Sequence, residues 1–433
     1  MNLLSGKVNI NSITGRSIGV LSLRLLGVGL FFLGTLYLTN ELSPDLVGQY
    51  DYSRALLLFV GAIALFGMQQ SVIFYSGLYS AQNNLGQIRQ VYRSMILLVV
   101  ALSVGLNGLL YALDPIVSAL GAKPIGDLVY QTFTGLLFYA IAMLNIDVLR
   151  AIDRIYVSEL FRNILRYLIF FVGVVALVVL GQPQWLVHVF LGSFVFLALS
   201  STAFLLYYFS QPPLNVFQPS APISTKEILR RSAPMAISAA SFLLMQSLDV
   251  LMLKQFDNYA VVAVYSVAVK LTLLLSVALA SVNAVLAPKI AEDYNRGALE
   301  ALALKVKKST RLIFFSTAPA ILILALGAEW ILSWFGAAYT GAKSALLILL
   351  LGQAVNAFCG SVGVYLNMTG KQKAFQWIVA SALVLNIALN AYLIPIYGMN
   401  GAAWATAASM MAWNFTAVLY VYKTDRIKTF LTW

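Results

Sequence analysis

The chain has 433 residues, of which 61% are hydrophobic and only 10% are charged, and its formal net charge is +12. Because soluble domains carry roughly a quarter charged residues, this composition excludes a water-soluble fold and predicts a protein embedded in a membrane. The lysines and arginines lie between apolar runs rather than on one soluble domain, which argues against nucleic-acid binding. The single cysteine, Cys359, excludes a disulfide framework and a CxxC redox or metal site.

Apolar runs of about twenty residues, the length that crosses a bilayer, recur along the whole chain. They predict an all-α polytopic membrane protein with about twelve transmembrane helices, near 17–39, 50–74, 93–113, 127–146, 163–180, 185–209, 231–254, 260–286, 310–334, 344–366, 375–396 and 400–422. Most of the 28 lysines and arginines then fall on one face, which predicts that both termini are cytoplasmic. The loops on the opposite face are short. We therefore expect no outer catalytic domain, no catalytic residue and no enzyme.

An internal repeat relates the two halves of the chain. Residues 36–50, LYLTNELSPDLVGQY, lie over residues 251–265, LMLKQFDNYAVVAVY, and nearly the same offset recurs over five spans. Because each half would contain an even number of spans, both halves enter the membrane in the same sense. The repeat predicts two parallel six-helix bundles around a central cavity. The predicted units are residues 1–210, a cytoplasmic linker at 211–230, and residues 231–433.

Four charged residues interrupt the apolar runs: Arg24, Arg54, Asp249 and Lys270. A charge inside a membrane span is costly and is retained mainly where it faces a wet interior or a partner. In the repeat alignment Lys270 falls one position from Arg54, so each half contributes a cation to about the same place, as a site for an anion would require. Three structural interpretations remain open. Arg54 and Arg24 could reach the interface, and Asp249 could form a fixed ion pair with Lys270.

A second, uncharged polar set lies in the later spans. Gln353 and Asn356 share a face of the tenth span, and Asn386 and Asn390 are stacked four residues apart on the eleventh. Such amides can line a sugar path, or they can form hydrogen bonds between helices. Both interpretations remain open for all four residues.

The acids Asp147, Asp153 and Glu159 fall among arginines on the predicted cytoplasmic side. We expect them to lie on a solvated helix face. The sequence also lacks a GxxxxGK[ST] phosphate loop, so it predicts no intrinsic ATPase.

Several segments together resemble the polysaccharide transporter family, the Wzx-type lipid-linked oligosaccharide flippases of the multidrug/oligosaccharidyl-lipid/polysaccharide superfamily. The similarity lies in TNELSPDLVGQYDYSRAL (39–56), in the hairpin at 232–271, in APKIAEDYNRG (287–297) and in LNIALNAYLIPIYGMNGAAWAT (385–406). These pieces follow one another in the order and spacing of the family over nearly the whole chain.

The resemblance implies export of an undecaprenyl-pyrophosphate-linked glycan (an O-antigen, capsule or exopolysaccharide repeat unit) across the bacterial inner membrane by alternating access. It implies that cavity cations at the positions of Arg24, Arg54 and Lys270 hold the pyrophosphate or acidic sugars. Asp249 would couple transport to an ion or balance the charge of Lys270. The drug extruders of the superfamily place an acid in the first span. Arg24 stands there instead, which disfavours cationic cargo.

We therefore expect the protein to interact with a lipid-linked oligosaccharide, with membrane lipids and with the glycan-polymerising machinery. We expect no nucleic acid, metal or cofactor apart from a coupling H⁺ or Na⁺, and the oligomeric state stays open. A small-molecule antiporter on the same scaffold is the alternative function.

Overall fold

The computed structural model describes residues 13–81, 84–119, 125–211, 214 and 224–432, and over this part of the chain it is helical with no β-strand. A π-helical turn at Leu160–Leu165 joins the helix that ends at Glu159 to the helix that begins at Arg166. The helices are α1 Ile13–Glu41, α2 Pro44–Leu65, α3 Met68–Ala81, α4 Ile88–Ala119, α5 Asp127–Thr134, α6 Leu136–Ala151, α7 Ile155–Glu159, α8 Arg166–Val179, α9 Leu186–Phe209, α10 Thr225–Phe256, α11 Tyr259–Asn295, α12 Leu299–Leu326, α13 Ala328–Ser333, α14 Lys343–Cys359, α15 Val362–Met368, α16 Gln372–Tyr397 and α17 Met399–Asp425.

Within the described residues, nine helices are long and apolar enough to cross a membrane, or ten if the bent pair α2 and α3 forms one span. Helices lie at all twelve predicted positions, but α10 and α17 are not among those nine or ten. The chain is thus a multi-pass membrane protein. Twelve crossings and cytoplasmic termini stay predictions.

The predicted span at 50–74 is bent by 43° between α2 and α3. Phe66 and Gly67 at this bend have φ angles of 42° and 72°, a left-handed conformation that ends the α-helical hydrogen-bond pattern. A side chain on Gly67 would begin 2.5 Å from the carbonyl oxygen of Ser232 in α10. The bend therefore depends on glycine both for its backbone angle and for its packing.

The chain folds into two compact units. The first contains the described residues up to Thr35 together with Val60–Ala236. In it, α6 packs against α3, α4 and α9, and α8 packs against α9. The buried side chain of Asn145 on α6 accepts a hydrogen bond from the Tyr92 hydroxyl at 2.8 Å and donates to Ser201 Oγ at 3.0 Å. A polar network therefore fixes three helices of this unit.

The second unit contains Leu36–Phe59 and the described residues from Ile237 onward. Here α16 packs along α17, α17 also packs along α14, and α12 packs against α11 and α14. The end of α1 and the start of α2 belong to this unit. Residues 212–213 and 215–223, most of the predicted linker, lie outside the described residues.

The start of α2 lies directly against the turn between α10 and α11. A side chain on Gly48 would begin 1.7 Å from the carbonyl oxygen of Tyr259 and 3.0 Å from its Cα. Backbone atoms cannot move aside as the end of a flexible side chain can, so only glycine allows this approach. This contact fixes how closely the start of α2, with the polar residues that follow Gly48, approaches α11.

Candidate functional site

The hairpin of α10 and α11 carries two of the predicted charged residues. Asn258 caps α11, since its side-chain oxygen accepts a hydrogen bond from the backbone N–H of Val261 at 3.0 Å. Asp249 lies about 10 Å along α10 from the end of that helix, and Lys270 about 16 Å into α11, at 1.5 Å per residue. Both are buried, with 1% and 2% of their surfaces exposed.

Lys270 forms a buried ion pair with Asp51 of α2. Asp51 was not predicted as a site residue. The ammonium Nζ lies 2.6 Å from Asp51 Oδ1 and 2.9 Å from Oδ2, and both side chains are 2% exposed. It also faces the ring of Tyr50 at 5.7 Å. Asp51 rather than Asp249 is therefore the counter-charge of Lys270.

Arg54 lies three residues after Asp51 on the same face of α2. Asp51, Arg54 and Lys270 together line a small pocket of about 50 Å³. Two serine hydroxyls, those of Ser247 and Ser266, also line it, and neither has a hydrogen-bond partner among the described residues. The structure thus brings two of the three predicted cations together, beside one carboxylate and hydroxyl groups able to donate to an anion.

Among the described residues, the groups that donate hydrogen bonds to Asp249 are all neutral. Its Oδ2 accepts from the hydroxyls of Tyr265, at 2.5 Å, and Thr406, at 3.2 Å, while its Oδ1 accepts from the backbone N–H of Val250 at 3.0 Å. Tyr265 and Thr406 were not predicted as site residues. A buried carboxyl held by hydroxyls rather than by a lysine can gain or lose a proton or bind a small cation without breaking an ion pair.

A larger cavity of about 410 Å³ opens beside Asp249 within the second unit. Gln353 and Asn356 line it, and the rings of Phe375 and Trp413 form an aromatic part of its wall. The volume lies within the range of pockets that bind drug-sized ligands, about 300–1,000 Å³. A lining that contains both amides and aromatic rings suits hydroxyl-rich, sugar-like molecules.

Asn386 and Asn390 are fully buried where α16 packs on α17. Asn386 Nδ2 donates to Ser409 Oγ at 3.1 Å, and Asn390 Nδ2 donates to Asn386 Oδ1 at 3.1 Å. Neither is among the residues that line the 410 Å³ cavity. The Asn386 bond joins α16 to α17, whereas the Asn390 bond lies within α16.

Arg24, the third predicted cation, lies in the first unit. Its guanidinium binds Glu159 with both ends, Nε to Oε2 at 3.0 Å and the terminal Nη2 to Oε1 at 2.6 Å. The Glu159 side chain is 2% exposed and that of Arg24 43% exposed, and Asn163 Nδ2 donates to the same carboxylate at 2.7 Å. The bidentate pair holds the arginine in one orientation and leaves one side of its guanidinium accessible.

The expectation of a solvated acidic face is wrong for two of its three residues. Glu159 is buried on Arg24, and Asp147 is buried with its Oδ1 2.5 Å from the guanidinium of Arg162. Asp153 alone is exposed, at the turn after α6. The carboxylates are buried because each has an arginine partner, which a count of charges along the sequence cannot reveal.

Two family models match the sequence. The model Polysacc_synt, described as "Polysaccharide biosynthesis protein", matches residues 15–293, and the model MatE matches residues 234–392. Among curated proteins, none matches the sequence significantly.

Several solved structures have the same fold. An inward-facing multidrug resistance MATE family transporter of the MOP superfamily has 18% identity and a TM-score of 0.72, covering 95% of this chain and 98% of its own. The lipid II flippase MurJ, in an inward closed conformation, has 14% identity and a TM-score of 0.69, covering 92% and 87%. The MATE multidrug transporter DinF-BH in complex with R6G has 17% identity and a TM-score of 0.67, covering 96% of both chains.

Proposed function

Since the chain belongs to the polysaccharide biosynthesis protein family and has the fold of MOP superfamily transporters, we propose that it is a flippase for an undecaprenyl-pyrophosphate-linked oligosaccharide. It moves the repeat unit of a surface glycan from the inner to the outer leaflet of the plasma membrane. The observation that supports this most directly is the pocket that Arg54 and Lys270 share inside the second unit.

The chemistry of the second unit suits a cargo with an anionic and a hydroxyl-rich part. Arg54 would bind a phosphate oxygen, because a guanidinium offers a planar set of donors to oxyanions. Lys270 adds a cation beside it that Asp51 keeps in place. Gln353, Asn356 and the aromatic wall of the 410 Å³ cavity would contact sugar hydroxyls and ring faces. The prenyl chain remains in the bilayer.

Arg24 and Asp249 would have two further roles in transport, phosphate binding and ion coupling. Arg24, held by Glu159 with part of its guanidinium accessible, would offer a second phosphate contact in the first unit. Asp249 would couple transport to H⁺ or Na⁺, because within the described part of the chain its carboxyl contacts Tyr265 and Thr406 and forms no ion pair. Alternating access by two six-helix bundles, with a cytoplasmic linker at 211–230, is the corresponding mechanism. Association with the glycan-polymerising machinery belongs to the same proposal.

Export of small molecules by ion exchange is the second candidate function. It is favoured by the carboxylate of Asp249 in the wall of a cavity of drug-sized volume. Deletion of the gene separates the two candidates. Loss of surface polysaccharide with unchanged drug sensitivity supports the flippase, and the reverse pattern supports the exporter.

Replacing Arg54 by glutamine should lower surface polysaccharide about tenfold or more. A hydrogen bond to a charged group contributes roughly 1.5–3 kcal/mol, which glutamine cannot supply to a phosphate at full strength. The measurement is the amount of surface polysaccharide in a deletion strain that expresses each variant at equal membrane levels. Arg54→Lys should restore part of the activity.

Arg296→Gln is the matched control, since Arg296 is 69% exposed and pairs with Glu292 four residues earlier. Exposed pairs of this kind contribute little, so this variant should behave as wild type. Wild-type polysaccharide in cells that carry Arg54→Gln would refute the proposed role of the pocket.

A further inference from the structure

After α17 the chain turns back and packs against the second unit. Between Arg426 and Thr432 it is not helical, yet Ile427 is 5% exposed and Thr429 is fully buried. Ile427 belongs to the hydrophobic core of this unit, and Phe430 packs against that core. We call residues 426–432 the return segment.

Polar contacts fasten the return segment to α12 and α14. The Thr310 hydroxyl donates to the carbonyl oxygen of Thr429 at 2.7 Å, and Arg311 Nε donates to that of Thr432 at 3.0 Å. From the segment itself, the Leu431 N–H donates to the Phe358 carbonyl at 2.9 Å. The rings of Phe358 and Phe430 stack with centroids 6.1 Å apart.

These contacts surround the break between α14 and α15. The helix ends at Cys359, Gly360 has a φ of 65°, and the next helix begins at Val362. Thr310 lies so close that a side chain on Gly360 would begin 2.3 Å from its hydroxyl oxygen. The same threonine therefore touches the break and holds the return segment.

The break also lines the 410 Å³ cavity. Gly360, Ser361, Gly363, Val364 and Asn367 line that cavity, together with Gln353 and Asn356. The Ser361 hydroxyl is buried and has no hydrogen-bond partner among the described residues. One short, irregular piece of backbone thus contacts Thr310, which holds the return segment, and also lines the cavity.

We propose that the return segment positions the cavity wall: it holds the break at Gly360–Ser361 in place and so sets the shape of the cavity. A broken helix lacks the continuous hydrogen bonds that keep an ordinary span rigid, and an external contact must replace them. Thr310, Phe430 and Leu431 are the positioning residues. This inference holds whichever cargo the cavity binds.

The only cysteine of the chain, Cys359, reports directly on this contact. It is fully buried at the end of α14, next to Phe358, whose backbone carbonyl accepts the Leu431 N–H of the return segment. In membranes that contain the full chain, N-ethylmaleimide should label Cys359 slowly, and labelling should be complete after denaturation. Thr310→Val and Leu431→Pro each remove one donor of the contact, and each should speed the labelling about tenfold.

Hydrogen exchange locates the effect. In both variants we expect faster amide exchange at residues 360–368 and unchanged exchange at residues 386–394 in α16, because only the break should loosen. Thr310→Ser keeps the hydroxyl and should keep the wild-type behaviour. Thr317→Val is the matched control, since Thr317 is buried two turns further along α12 and its hydroxyl has no partner among the described residues.

Three results would overturn the inference. Cys359 could stay as unreactive in both donor variants as in wild type. It could become reactive while exchange at residues 360–368 does not change, in which case the segment only covers the cysteine. Exchange could also rise throughout the protein, which would indicate global unfolding. Neither measurement requires transport, so failure of the proposed function would leave the test intact.

Discussion

Replacing Lys270 by methionine should lower the free energy of unfolding by about 3–5 kcal/mol, because the carboxylate of Asp51 would remain buried without its cation. The two side chains are each 2% exposed, so neither can turn to water when its partner is removed. Thermal unfolding of the purified protein in one detergent measures the effect as a lower melting temperature. Asp51→Leu should destabilise the protein similarly, since it leaves the ammonium unpaired.

The double variant Asp51→Asn, Lys270→Met separates the structural role of the pair from its proposed transport role. Replacing both members of a buried ion pair by uncharged groups of similar volume is often nearly neutral. We expect the double variant to recover most of the lost stability while transport stays low, because the pocket has lost a cation. If the double variant is no more stable than Lys270→Met, the loss of stability in Lys270→Met does not come from the unpaired carboxylate of Asp51.

Replacing Asp249 by asparagine should lower transport about tenfold or more. It should change the free energy of unfolding by less than about 1 kcal/mol. Asparagine keeps the shape and one acceptor oxygen. The hydroxyls of Tyr265 and Thr406 can rotate to accept from the new amide, since a hydroxyl is both donor and acceptor. The variant loses only the negative charge and the ability to bind a proton. Transport measured with and without a Na⁺ or H⁺ gradient should no longer depend on the gradient.

Asp249→Ala provides the comparison. It leaves the fully buried Tyr265 hydroxyl without its acceptor, which costs roughly 1–3 kcal/mol. If Asp249→Asn transports as wild type does and retains its response to an ion gradient, the coupling role is wrong and the carboxylate is only a hydrogen-bond acceptor.

The contrast between Asp51 and Asp249 illustrates what the sequence can and cannot reveal. Asp249 interrupts a long apolar run, so its cost in a membrane is visible from the sequence. Asp51 lies at the start of a predicted span, where an acid is expected at the interface. The available signal was its spacing of three residues from Arg54, which places both on one helix face.

Partners distant in sequence were not predictable from residue types alone. Glu159 is 135 residues from Arg24, and the π-helical turn that follows it has no simple sequence signal. The proximity of Arg54 and Lys270 was different, because the internal repeat placed Lys270 one position from the equivalent of Arg54, and both line one small pocket. Symmetry of the sequence thus indicated a shared location that local patterns could not.

Helix positions followed from hydropathy, but breaks within helices did not. Gly360 interrupts the predicted span at 344–366, and Phe66–Gly67 bends the one at 50–74. Glycine is common in membrane helices, so its presence does not by itself indicate a left-handed backbone. The return segment was missed for a related reason, since seven mixed polar and apolar residues after the last helix are too few to show a periodicity.

The central claim, that the protein moves a lipid-linked glycan between leaflets, is tested most directly by reconstitution. Purified protein is placed in liposomes that contain an undecaprenyl-pyrophosphate-linked oligosaccharide, and an impermeant glycosidase is added outside. With wild-type protein and an imposed ion gradient, we expect cleavage to proceed beyond the outer leaflet until most of the glycan is digested. With Arg54→Gln, or without protein, cleavage should stop when the outer leaflet is exhausted. Cleavage confined to the outer leaflet in wild-type liposomes as well would contradict the account.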